Sequence, residues 1–323
     1  MTGICHRVFI KWGLGPSCAA RQGVTAPAGP GQSPGLSFVR LILAGALLAA
    51  APARGAEYKI ATWNLNWFTL RPPHDAALPA DVEPRVAADF VALHGYAEKL
   101  AADVVAFEEV DGAEAAGKLF DPARYTIVTI RQDVVQQVGL AVRRPIAVHQ
   151  NEDLAALDVE PPGAAHHLRH GLDATLTFPG GATLRVLAVH LKTGCHTDHL
   201  RHSPRHECAL FARQIPLLAD WLRARAAEGA SFALLGDFNR VMDDPEELSS
   251  AVAAAAPMIR VTEGNSDPCW GGGSFIDHIF LGGPARGWLV PGSLRVLTYR
   301  STDERDKEHL SDHCPVSARL RPG

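Results

Sequence analysis

Short apolar or alternating runs bounded by turn residues recur along residues 57–323, the marks of buried and half-buried strands. The pattern predicts strands at Tyr58–Leu65, Val104–Phe107, Tyr125–Ile130, Val138–Val142, Leu172–Phe178, Leu184–Leu191, Phe232–Leu235, Phe275–Leu281, Leu294–Tyr299 and Pro315–Leu320. Between Leu172–Phe178 and Leu184–Leu191, Pro179-Gly180-Gly181 is a hairpin signal. The spacing lengthens to that of a helix from Pro84 to Ala101, where Val86, Phe90, Leu93, Ala97 and Leu100 share a face. A small helix is predicted near Gly112–Phe120 and a long one from about Glu207 to Ala227. Strands dominate, so the expected architecture is two packed sheets covered by helices. No linker, charge run or repeat of 20–50 residues divides residues 57–323, which read as one domain.

The N-terminus has a different character. Gly13 to Ser37 is rich in Gly, Pro, Ala and Ser without apolar period, and disorder is expected there. Arg40 then precedes an apolar run, Leu41 to Ala51, that is too short to span a bilayer. It fits the apolar stretch of a secretory signal peptide, with Ala51-Pro52-Ala53 as the cleavage site and Ala56 as a second possible end. Residues 36–56 are therefore expected to direct the protein out of the cytoplasm, to the periplasm or the medium. Some forty residues precede the charged end of this signal, and no Met lies between Met1 and Met242. The expected start is a non-Met codon near Leu36 or Val39, with residues 1–35 a disordered or mis-annotated extension.

Composition changes the picture little. Of 323 residues, 47% are hydrophobic and 20% charged, enough for a large core and far from disorder. The net charge is −4. Residues 1–53 hold four bases and no acid, so the remainder stands at −8. A basic surface for gripping nucleic acid everywhere is excluded; a local positive groove is not. Cys195, Cys208, Cys269 and Cys314 remain after the leader, an even number that permits three pairings in an exported chain. Sequence proximity favours Cys195–Cys208, leaving Cys269–Cys314; four buried thiols are the alternative.

The chemistry is concentrated where strands end. Trp63-Asn64, Phe107-Glu108-Glu109, His190 within Leu-Ala-Val-His-Leu-Lys, Gly236-Asp237-Phe238-Asn239, Ile276-Asp277-His278-Ile279 and Ser311-Asp312-His313 each place polar groups beside an apolar run. Alone, each reads as a turn cap or a core histidine. Together they are the acid, amide and imidazole set of a metal-assisted hydrolase. The chain has no GxxxxGK loop, GxSxG or HExxH.

These motifs, WNLNW, FEEV, VHLK, GDFN, IDHI and SDHCPV, resemble those of the endonuclease/exonuclease/phosphatase superfamily, typified by deoxyribonuclease I and the exonuclease III-type repair endonucleases. The resemblance covers about residues 57–320. It implies an α/β fold, a four-layered sandwich of two mixed sheets flanked by helices, and a phosphoric ester hydrolase. Glu109, Asn64 and Asp312 are then the expected metal set for Mg²⁺ or Mn²⁺, hard cations that prefer oxygen. Asp237 and Asn239 are expected to orient the attacking water and the phosphate. His313 would contact the phosphate with Asp277 fixing its tautomer and raising its pKa, and His190 would protonate the leaving oxygen. Arg169 and Lys192 are expected phosphate contacts, the latter on the strand face of His190, and Trp270 a sugar contact. His278, next to Asp277, should face away.

Two departures stand out. Relatives of the deoxyribonuclease I kind carry a Glu in support of the histidine at position 190, and here that place is read as Gln137. The segment Cys195 to Cys208 holds four His, read as a disulfide-closed rim of the site, partly basic below about pH 6.5, rather than as a Zn²⁺ site. The expected activity is an exported nuclease on DNA or RNA, a monomer without protein partner or membrane span. A phospholipid or phosphoinositide phosphodiesterase and an inactive binding protein on the same fold are the alternatives.

Overall fold

The computed structural model describes residues 55–242, 246–301 and 303–323. The proposed extension and all but the last two residues of the proposed signal peptide lie outside them. The described residues fall within the compact unit Ala53–Gly323.

Two six-stranded mixed sheets form the centre, as the sequence pattern leads one to expect. In the first, β1 (Tyr58–Phe68) runs parallel to β2 (Val104–Val110), followed by β4 (Gln137–Arg143) and β3 (Tyr125–Thr129); β12 (Val316–Leu320) and β11 (Arg295–Val296) flank the other edge of β1. In the second, β7 (Thr183–His190) runs parallel to β8 (Phe232–Asp237). Outward from β7 lie β6 (Leu172–Thr177) and β5 (Ala147–Gln150); outward from β8 lie β10 (Asp277–Gly282) and β9 (Met258–Arg260).

Alternation along the strands sorts side chains into three apolar layers. Ile60, Val104, Ala106 and Leu140 of the first sheet meet Val186, Ala188, Leu235 and Ile279 of the second between the sheets. On the outer face of the first sheet, Trp63, Leu65 and Phe107 pack on α1 (Ala87–Leu100) and α2 (Gly112–Ala116) through Leu93, Leu100 and Ala115. On the outer face of the second, Leu187, Leu234 and Phe280 pack on α3 (His206–Ala227) and α4 (Glu247–Ala255) through Phe211, Leu222 and Val252. Helix, sheet, sheet, helix is the four-layered arrangement. A short helix, α5 (Asp306–His309), precedes the last strand.

Several boundaries differ from the sequence reading. β5, α4, β9 and α5 carried no distinct signal: each is short, and α4 is mostly Ala and Ser with too few large apolar residues to mark a period. The strand expected at Leu294–Tyr299 shrinks to Arg295–Val296, and the helix expected at Gly112–Phe120 to Gly112–Ala116.

Disulfides join Cys195 to Cys208 and Cys269 to Cys314, with Cα separations of 5.0 and 5.7 Å. Alkylation of the unreduced protein followed by mass spectrometry should therefore modify none of these four. Replacing Cys195 and Cys208 together by Ala should lower stability by about 2–4 kcal/mol, read in denaturant melts. Four alkylated thiols would refute the pairing.

Candidate active site

The two parallel strand pairs end side by side, and this brings the polar motifs together. In register, Asn64 of β1 is opposite Glu108 of β2, His190 of β7 opposite Asp237 of β8, and Asp237 opposite Asp277 of β10. Period two puts Asn64, His190, Asp237 and Asp277 on the inner face, in line with the apolar residues that precede them. Apolar burial between the sheets thus stops where the carboxylates begin.

Asp237 is the hub. Its Oδ2 accepts a hydrogen bond from Asn64 Nδ2 at 3.0 Å across the two sheets and another from Asn239 Nδ2 at 3.1 Å. The same oxygen lies 3.5 Å from His190 Nε2 and 3.8 Å from His313 Nε2. Oδ1 accepts the backbone N–H of Asn239 at 2.7 Å. Burial, opposed by His313 and reinforced by Asp277, pushes the Asp237 carboxyl up to about 6. The preceding Gly236 is required by packing: a Cβ there would sit 1.9 Å from the carbonyl oxygen of Val189 on the paired strand.

His313 and Asp277 form the second group. His313 Nδ1 donates to Asp277 Oδ2 at 2.7 Å. Burial opposes a charge on His313, but the carboxylates of Asp277 and Asp237 outweigh it and hold the imidazole well above its ordinary range. His313 is accordingly an imidazolium whose Nε2–H faces Asp237.

Glu109 reaches the site through a backbone irregularity. Strict alternation after Phe107 would turn it to the outer face. The register between β1 and β2 slips here, and Glu109 takes a φ of 60°, which re-aims its side chain. Its Oε1 accepts from Asn64 Nδ2 at 3.1 Å, and its Oε2 from the Trp67 backbone N–H and from Gln136 Nε2. His190 Nε2 is 3.6 Å from Oε1. Burial pushes the Glu109 carboxyl up, against Arg169 and Asn64. Asn239 also has a positive φ, 51°, as do Asn66 and Trp67 near the end of β1, so positive-φ residues gather where these strands end.

These groups line a cleft of about 250 Å³ bounded by Glu109, Gln136, Arg169, His190, His196 and Asp237, with Asn239, Asp312 and His313. Asp312 is exposed, its Oδ1 4.0 Å from His313 Nε2. Arg169 is buried; one guanidinium N–H donates to the Leu191 carbonyl at 3.3 Å while its Nε has no protein partner.

Of the twelve residues singled out for catalysis, metal, substrate or its neighbourhood, seven line the cleft; Asn64 and Asp277 stand behind it, bonded to Asp237 and His313, and three stand apart. Lys192 lies beyond the end of β7, so the strand-face argument does not reach it; its backbone N–H is held by Gln214. Trp270 lies against Tyr299 and donates through Nε1 to the Ser311 carbonyl at 2.9 Å. His278 is on the opposite strand face, as expected, bonded to Thr262 at 2.6 Å. The amide that reaches the site is Gln136, not Gln137: Gln137 turns to the Gln132 carbonyl, and His190 Nδ1 is buried without a protein partner. Gln136 immediately precedes β4 and Gln137 opens it, and the sequence did not show which would face Glu109.

Two further residues were not singled out. Glu108 is fully buried behind the site, accepting from Thr62 Oγ1 at 3.0 Å. Burial first, then the charges of Asp277 and Asp237, push its carboxyl far up. Arg240, next after GDFN, is buried and donates to the carbonyls of Cys195 and Asp198 at 2.7 and 2.8 Å and to Glu246 at 2.6 Å. It ties the Asp237 turn to the disulfide loop; its signal was an Arg directly following a catalytic motif.

His278 supplies a pH test of the fold. Burial lowers it to about 3 from an ordinary value of 6.5. Between these values the unfolded chain binds the extra proton, so the stability His278 contributes is complete above about pH 6.5 and is lost as pH falls toward 3. His278→Gln should melt below the parent at pH 7, and the gap should narrow at pH 4.5. A gap independent of pH would contradict this.

With this geometry in view, the comparisons with known proteins are direct. Residues 61–313 match the Endonuclease/Exonuclease/phosphatase family, and the chain belongs to it. Its members are phosphoric ester hydrolases that generally use divalent metals. Truncated TDP2 from Caenorhabditis elegans is similar in fold at 16% identity and TM-score 0.52, covering 82% of this chain and 98% of that one. The human Nocturnin catalytic domain with bound sulfate anion follows at 15% identity and TM-score 0.53, covering 82% and 94%. The 3′ phosphatase NExo from Neisseria, bound to a product DNA hairpin, gives 18% identity and TM-score 0.53, covering 81% and 98%. No curated protein matches the chain.

Proposed function

We propose that this protein is an exported, Mg²⁺- or Mn²⁺-dependent phosphodiester hydrolase that cuts DNA or RNA by in-line attack of water. The observation that carries this reading is the position of Asp237: one buried carboxyl facing the cleft, within 3.0–3.8 Å of Asn64, Asn239, His190 and His313.

The residues divide the work by charge. Asp237 accepts a proton from the attacking water, and Asn239 helps fix the carboxylate that does so. His313, kept as imidazolium by Asp277, binds a phosphoryl oxygen and carries the proton that the leaving oxygen takes as the P–O bond breaks. Burial, then Arg169 and His313, hold His190 well below its ordinary range, which favours a neutral imidazole offering the phosphate a hydrogen bond over the proton-donor role expected from the resemblance. Arg169, with a free Nε, adds positive charge to the phosphate.

The donor set fits a hard cation. Glu109, Asp237 and Asp312 line the same cleft as Arg169 and the His313 imidazolium, so its acids outnumber its cations, a grouping that disfavours a phosphate unless a further cation offsets it. Glu109 and Asp312, with Asn64, would hold the ion, and its charge would neutralise the phosphoryl oxygens. Asp237, Asp277 and His313 also bring ligand atoms within 4.8 Å of one another. A third grouping, Cys195, Asp198 and Cys208, offers no thiolate because its sulfurs are bonded together.

Export rests on the apolar run before Ala53 and is supported by the two disulfides. Among the described residues no helix is long and apolar enough to cross a membrane. The mature protein, assayed with Mg²⁺ on plasmid DNA, RNA, sphingomyelin and bis(p-nitrophenyl) phosphate, should cleave the nucleic acids and the generic diester. Cleavage of sphingomyelin alone would replace the nuclease reading by the lipid one.

A further inference from the structure

Three donors hold the Glu109 carboxylate, and one of them comes from outside β1. Asn64 Nδ2 reaches Oε1, while the Trp67 backbone N–H and Gln136 Nε2 both reach Oε2. The local backbone explains why Glu109 needs holding. Between the pairings Asn64–Glu108 and Phe68–Val110, β1 spends Leu65, Asn66 and Trp67 where β2 spends Glu109 alone. This bulge takes Glu109 out of the pleat that would otherwise fix its direction. A carboxylate oxygen accepts about two hydrogen bonds. Trp67 and Gln136 fill Oε2, whereas Oε1 has one protein donor, Asn64. Oε1 is therefore the oxygen with room for a further partner.

Gln136 is delivered by a turn with anchors of its own. The turn joins β3 to β4, and inside it the Val134 N–H donates to the Gln132 carbonyl at 3.1 Å and the Gln137 N–H to the Val135 carbonyl at 3.0 Å. The Gln132 side chain then fastens the turn to the cleft wall. Its Nε2 donates to the Leu168 carbonyl at 2.8 Å and its Oε1 accepts the His170 backbone N–H at 2.9 Å, one on either side of Arg169. The resemblance implies a group near this place that supports His190. The amide has another partner here: Gln136 turns to Glu109, and His190 Nδ1 is buried without a protein partner.

We propose that Gln136 is a positioning residue for the metal-holding carboxylate: its amide pins Oε2 of Glu109 and leaves Oε1 to meet the cation. This rests on the assignment of Glu109 to the cation made above. A ligand side chain that is free to turn loses rotamer freedom when the ion binds. Here that freedom is given up on folding, because Oε2 is already fixed by two N–H groups. Hydrogen bonds to a ligating group set its orientation, and losing one weakens metal affinity by about 10–100-fold. Gln136 suits the task because it brings a donor without adding a charge to a cleft that already holds Glu109, Asp237 and Asp312.

The test is metal binding without substrate. Mn²⁺ is titrated into the mature protein and the free ion is read by electron paramagnetic resonance. Gln136→Met keeps the length of the side chain and removes its N–H donors; its Mn²⁺ affinity should fall by about tenfold or more at an unchanged melting temperature. Gln132→Met loosens the same turn without touching Glu109 and should bind Mn²⁺ as the parent does. On bis(p-nitrophenyl) phosphate, the Mn²⁺ concentration for half-maximal rate should rise in Gln136→Met by the same factor, and kcat at saturating Mn²⁺ should return toward the parent value. Parental Mn²⁺ affinity in Gln136→Met overturns the proposal. So does an equal loss in Gln132→Met, which would make the turn rather than the amide responsible. A raised KM for the diester at unchanged Mn²⁺ affinity also overturns it, because Gln136 would then touch the substrate instead. A parent that takes up no Mn²⁺ removes the proposal together with the metal assignment. Weakened Mn²⁺ binding in Gln136→Met beside a parent that cuts neither DNA nor RNA would instead overturn the nuclease reading and leave the role of Gln136 standing.

Discussion

Asp237→Asn should lower kcat on DNA by about 10³-fold or more, a loss in the range of removing a general base together with a transition-state charge contact. The amide nearly preserves shape, so the packing of β8 against β7 and β10 should survive. What is lost is the negative charge that accepts the water proton and faces the His313 imidazolium at 3.8 Å. Asn64 and Asn239 both donate to Asp237 Oδ2, and an amide oxygen can still receive one of them. A folded protein with an unchanged melting profile and near-parental turnover would remove Asp237 from the centre of the mechanism.

His313→Ala should cost about 10²–10⁴-fold on DNA. The substitution removes a cation from the phosphate, takes away the proton for the leaving oxygen and leaves Asp277 a buried carboxylate without its 2.7 Å partner. The proton-donor part of this loss depends on the leaving group. A sugar alkoxide needs the proton; p-nitrophenolate does not. The loss on bis(p-nitrophenyl) phosphate should therefore be smaller than on DNA by about tenfold or more. Equal losses on both substrates would leave His313 as a phosphate-binding cation only. His190→Ala should not show this contrast, because burial keeps His190 neutral.

Most of the fold was legible because period two and burial between two sheets are the same fact seen twice. Ile60, Thr62 and Asn64 alternate with Ala61, Trp63 and Leu65, and the two sets lie on opposite faces of β1. The same rule placed His190, Asp237 and Asp277 on one face and His278 on the other. It failed wherever the backbone leaves the strand. Glu109 reaches the site only by a positive φ, and Lys192 follows a strand that has already ended. Local pattern also could not separate Gln136 from Gln137, since the choice is made by where β4 begins against Glu109. Glu108 was visible as half of a Glu pair, but the upward shift of its carboxyl follows from complete burial beside Asp237 and Asp277, which no local pattern carries.

The measurement that bears most directly on the whole account is the hydrolysis of plasmid DNA by the mature protein, with Mg²⁺ and with chelator, beside Asp237→Asn. The account predicts Mg²⁺-dependent cleavage, its loss in chelator, and its near absence in the variant at an unchanged melting temperature. Cleavage that persists in chelator or in Asp237→Asn, or a folded, Mg²⁺-loaded parent inert on DNA, RNA and bis(p-nitrophenyl) phosphate alike, would contradict it.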